Sequence, residues 1–172
     1  MKILDCKPLT IKEVWKSNYE DFMYSDVYWL RSPHPHEKLK SMAAYVNVGL
    51  PEENFDDDEY YDYENEDDDY DYGSIRFEGV TKELGVRPAL YLDSNVGREF
   101  KLAGSIWYNI FENVYFCEDV VTESVFNNSL SDGNEYEGSE LQKSVLSWFK
   151  SEGLEFNTEI TPGKCFWQHW NY

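Results

Sequence analysis

The chain has 172 residues, 34 acids against 15 Lys and Arg, and a formal net charge of -19. A hydrophobic share of 41% and an aromatic share of 17% are enough for a real core, which argues against a wholly disordered chain. The charge argues against direct binding to nucleic acid or an anionic membrane, and favours basic protein partners or multivalent cations.

The acidity is local. Residues 52–71 hold 13 acids and no Lys or Arg, so the rest of the chain carries only -19 + 13 = -6. The N-terminal MKILDCKPLT has no apolar core of a secretory signal, and no run approaches the ~18 apolar residues of a membrane span. Three widely spaced cysteines, Cys6, Cys117 and Cys165, fit reduced thiols better than a disulfide framework, so a cytoplasmic location is expected.

In chain order, Thr10-Ile11-Lys12-Glu13 reads as a capping box, and Ile11, Val14, Trp15 and Phe22 follow at helical spacing, giving a helix at about 11–21. Val27 to Arg31 reads as a strand that Ser32-Pro33-His34-Pro35 ends. Ala43 to Val48 and Ser74 to Val80 read as a strand pair, with the acidic segment between them as a long hairpin loop or inserted arm. Val86 to Leu92 is a further strand in which Pro88 signals an edge or a bulge. Ile106 to Cys117 fits one hairpin turning at Glu112-Asn113. Ser139-Glu140-Leu141-Gln142 opens a second helix that Gly153 stops, and the tail CFWQHWNY reads as a docked strand. Two main helices among strands, with no βα alternation, predict one α+β domain over 1–172 with a mixed, mainly antiparallel sheet and an acidic, Tyr-rich insertion at 52–73.

Three ordered blocks, Tyr28-Trp29-Leu30-Arg31-Ser32-Pro33, Ala43-Ala44-Tyr45-Val46-Asn47 and Gly85-Val86-Arg87-Pro88-Ala89-Leu90, resemble a bacterial and phage domain family marked by WLRSP and GVRPAL. The resemblance covers roughly residues 1–95 and implies a C-type-lectin-like or formylglycine-generating-enzyme-like fold. The second half is similar to a module with an Asn-x-Tyr-x-x-Ser helix start, here Asn134 to Ser139, followed by Trp148. In such proteins that module commonly precedes the WLRSP block, whereas here it follows. Family members usually carry a short Gly/Ser/Asn turn where this chain carries its acidic segment. The resemblance implies no catalytic residues.

The candidate partner-binding residues are Asp56, Asp57, Asp58, Glu59, Tyr60, Tyr61, Asp62, Tyr63, Glu64, Glu66, Asp67, Asp68, Asp69, Tyr70 and Asp71. Extended, the sixteen positions from Asp56 to Asp71 span ~53 Å with one acid per ~5 Å, of the same order as the ~3.4 Å phosphate spacing of a DNA strand. Interleaved tyrosines can stack on arginine as bases do. The plain alternative is a solvated loop, since like charges repel, but such loops are poor in aromatics.

Asp67, Asp69, Asp71 and Glu78 are the weak cation candidates. They follow part of an EF-hand spacing, but Tyr72 stands where the sharp turn needs Gly. His34-Pro35-His36-Glu37 reads as a surface turn before a metal site, Cys165 and His169 as core before a nucleophile and base, and Arg31 and Arg87 as structural ties before anion binders. No cofactor and no catalytic residue is assigned. The expected function is a non-enzymatic, phage-type inhibitor that blocks a basic nucleic-acid-binding host protein by charge mimicry, in the manner of anti-CRISPR or anti-restriction proteins. The alternative is a lectin-like ligand-binding or assembly module, Ca²⁺-dependent or not.

Overall fold

The fold comes from a computed structural model, which describes residues 1–17, 20–48 and 74–163. Strand β1 (Ile3–Lys7) leads to helices α1 (Ile11–Lys16) and α2 (Glu20–Met23), then to β2 (Tyr28–Pro33), β3 (Met42–Val46), β4 (Ile75–Gly79), β5 (Leu84–Val86) and β6 (Ala89–Leu92). β7 (Glu99–Leu102), β8 (Ser105–Phe111), β9 (Val114–Cys117), β10 (Thr122–Ser124) and helix α3 (Glu140–Ser151) follow. The strands form two five-stranded sheets, ordered β1-β6-β9-β8-β7 and β10-β5-β2-β3-β4. All pairings are antiparallel except β2 with β5, which run parallel through Tyr28 and Gly85. The architecture is therefore α+β, mostly antiparallel, built on two sheets.

The expected strand from Val86 to Leu92 is instead two strands, and they belong to different sheets. β5 ends at Val86, Arg87-Pro88 forms the corner, and β6 starts at Ala89 between β1 and β9. Pro88 is thus neither at an edge nor in a bulge. It lacks an N–H for a ladder and restricts the residue before it, so it suits a crossover between ladders. Its carbonyl still accepts from the Cys117 amide at 3.2 Å. The other residues of this motif serve the same corner. A Cβ on Gly85 would lie 2.6 Å from the Val27 carbonyl oxygen, so only glycine lets these two stretches of backbone approach.

Arg87 is fully buried behind the corner. Its Nε donates to the Cys117 carbonyl at 2.9 Å and its Nη1 to the Phe22 carbonyl at 3.2 Å. The guanidinium carbon lies 4.5 Å from the Phe116 ring centre, 4.6 Å from Phe22 and 5.1 Å from Tyr28. Loss of solvent lowers its pKa, and the ring faces and carbonyl dipoles replace part of that solvation.

The WLRSP block is equally structural. β2 extends through Ser32 and Pro33 rather than ending before them, and its register with β3 slips between Trp29 and Pro33. This bulge frees Arg31 and Ser32 to face α1. The Arg31 amide donates to Leu9 O at 2.9 Å, its Nε to Pro8 O at 2.8 Å, and its Nη2 pairs with Glu13 Oε1 at 3.0 Å. Burial works against the Arg31 charge, but the Tyr91 hydroxyl and the Glu13 carboxylate outweigh it and move its pKa up. Ser32 Oγ accepts from the Ile11 amide at 2.9 Å, and Trp29 Nε1 donates to Ser124 O at 2.9 Å.

The capping box on α1 forms as expected: Thr10 Oγ1 accepts from Glu13 N and Glu13 Oε1 from Thr10 N. The helix stops at Lys16 instead of running to 21, because Ser17 turns extended, and α2 follows as a separate short turn. On α3 only half the box forms. Ser139 Oγ accepts from Gln142 N, but the Gln142 side chain accepts from Gly138 N at 2.7 Å and donates to Glu137 at 3.0 Å. The helix ends at Ser151; Gly153 N then reaches Lys150 O, and the φ of 75° at Gly153 allows Leu154 N to reach Phe149 O. Phe149 then stacks on Phe156 at 4.4 Å.

The core divides in two. Leu141, Val145 and Phe149 of α3 pack with Trp29, Trp107, Tyr115 and Phe126. Leu9 and Val14 pack with Tyr28, Leu30, Val46, Ile75, Ile110 and Phe116. At ~1.5–3 kcal/mol per buried large apolar side chain, these clusters are the main source of stability.

Candidate functional site

All the candidate partner-binding residues from Asp56 to Asp71 lie outside the described residues, as do Cys165, His169 and the tail expected as a strand. The structure does describe the two points from which the acidic segment departs. β3 and β4 pair without interruption from Met42↔Gly79 to Val46↔Ile75, and Asn47 N continues the ladder to Ser74 O at 2.8 Å. The expected strand pair is therefore present, and residues 49–73 connect neighbouring strand ends. Those ends are fixed in the core: Val46 and Ile75 are buried, as is Ala44 two pairs further in.

Among the described residues β4 is the last strand of its sheet, and its own side chains occupy outward-facing ladder groups. Arg76 Nη1 donates to Ile75 O at 3.1 Å, and Glu78 Oε1 accepts from Gly79 N at 3.0 Å. Gly79 O accepts from Lys82 N at 3.1 Å. The outer strands of the other sheet are covered by later chain. Asn157 N reaches Ile3 O at 2.9 Å beside β1, and Gly163 exchanges two hydrogen bonds with Lys101 beside β7. Charged plugs and covering segments of this kind disfavour recognition by strand addition.

Glu78, the one cation candidate that is described, sits on β4 opposite Ala43 with one carboxylate oxygen engaged by Gly79 N. An EF-hand would place it at the start of a helix. Asp67, Asp69 and Asp71 are outside the described residues. His34 and His36 lie on the turn after β2. His34 Nδ1 accepts from His36 N at 2.9 Å, His36 Nδ1 from Lys38 N at 3.1 Å, and the His34 ring lies 4.4 Å from Phe77. Among the described residues, no group of three or more His, Cys, Asp or Glu is placed to hold a metal. Cys6 and Cys117 are free and buried; burial pushes both thiols up, Cys117 to about 11, which suppresses thiolate chemistry near neutral pH.

The sequence reading missed an open groove of ≈ 710 Å³ between the Pro33–Lys40 turn and the Asn127–Lys143 segment. Asparagines build it: Asn134 Nδ2 donates to Met42 O at 2.8 Å, Asn127 Nδ2 to Gly133 O at 2.8 Å, and Asn127 Oδ1 accepts from Glu140 N at 3.1 Å. It lies at the Met42/Gly79 end of the β3–β4 pair, ~13 Å along the strands from the end that carries residues 49–73. Its only sequence signal was the cluster of short amide side chains at Asn127, Asn128 and Asn134.

Among the described residues, no helix is long and apolar enough to cross a membrane. No protein-family model matches the chain, and neither the curated proteins nor the solved structures give a match.

Proposed function

We propose that the chain is a non-enzymatic inhibitor that binds the basic nucleic-acid groove of a host protein, with residues 52–72 acting as the nucleic-acid mimic. The reading follows from one observation: 13 acids and no Lys or Arg lie in sequence between two strands that pair residue for residue. Two buried strand ends, Val46 and Ile75, make a firm mount for the charged segment between them. The plugged or covered edges at β4, β1 and β7 support an electrostatic mode of contact over strand addition. The kind of target that fits is a phage-defence protein with a nucleic-acid channel, such as a CRISPR effector or restriction-type enzyme, met in the host cytoplasm.

The test is capture from a bacterial lysate by the full chain and by a version with residues 54–72 replaced by a Gly-Ser turn. The full chain is expected to retain nucleic-acid-handling proteins at low salt and release them as ionic strength rises past the point where the Debye length is ~8 Å. Equal capture by the shortened chain would sink the proposal.

A further inference from the structure

We draw no further inference here: the strongest candidate, the open groove between the Pro33–Lys40 turn and the Asn127–Lys143 segment, carries nothing because Lys143 is paired with Glu140 and Asp132 is engaged by the Ser129 amide, and nothing in the structure points to a ligand for what is left.

Discussion

The two arginines of the sequence motifs make the same kind of tie under different physical conditions. Arg31 keeps a carboxylate, Glu13, at 3.0 Å and is only partly buried. Arg87 is fully buried and is held by carbonyls and three aromatic faces, with no carboxylate among its hydrogen-bond partners. Among the described residues, its Nη2 has no hydrogen-bond partner. The first arginine ties a helix to a strand bulge near the surface. The second holds the corner where the chain passes between sheets, and its partners there are two carbonyls, the Ser25 hydroxyl and ring faces. Both spend their charge on the frame. The acidic segment is the opposite case, since its charges accumulate without a single neighbouring base in sequence. Under the proposed reading, recognition falls where charge is left over, not where a motif is most distinctive.

The largest effect on the frame is expected at Gly85. Gly85→Ala forces a Cβ against the Val27 carbonyl and Val120, and we expect a loss of ~3 kcal/mol, read from urea unfolding. Arg87→Met removes the donors to Cys117 O and Phe22 O, and should cost ~2 kcal/mol in the same assay. Arg31→Met leaves Glu13 hydrogen-bonded by Tyr91 and by the Thr10 amide, and should cost ~1 kcal/mol. A larger loss for Arg31 than for Arg87 would overturn the comparison.

Alkaline pH gives a smaller, graded effect. Tyr28, Tyr91 and Cys117 have folded pKa values raised by burial, so folding favours their protonated forms. Their contribution is complete below the unfolded values of ~9 for the thiol and ~10 for the phenols, and it is lost as pH rises beyond them. Thermal midpoints should therefore hold up to about pH 9 and fall above it, and a flat profile to pH 11 would contradict this burial. The smallest effect is expected for replacing residues 54–72 by a short turn. Loop closure becomes cheaper by ~1 kcal/mol, so the midpoint should stay level or rise by a few degrees.

Local chemistry was legible in the sequence. The Thr10–Glu13 box, the turn at Glu112 and the stop at Gly153 all depend on residues close in the chain, and β3 and β4 were each legible as a strand although their pairing spans residues 49–73. The corner at Arg87-Pro88 was not legible, because a period-2 pattern reads the same whether one sheet or two receive it. The groove was hidden for a similar reason: Asn134 is tied to Met42 across 92 positions, a pairing that no local window contains. The candidate site was legible as charge and as an address between two strands, since like charge accumulates in the sequence itself.

The most direct test of the account neutralises the charge and keeps the length. All 13 acids of residues 52–71 would be changed to their amides, and the variant compared with the parent for thermal midpoint and for affinity toward the nucleic-acid-handling proteins the parent captures. The account predicts an affinity loss of ~100-fold or more at low salt, a nearly flat salt dependence, and a midpoint within a few degrees of the parent. Retained affinity with an unchanged midpoint would contradict it.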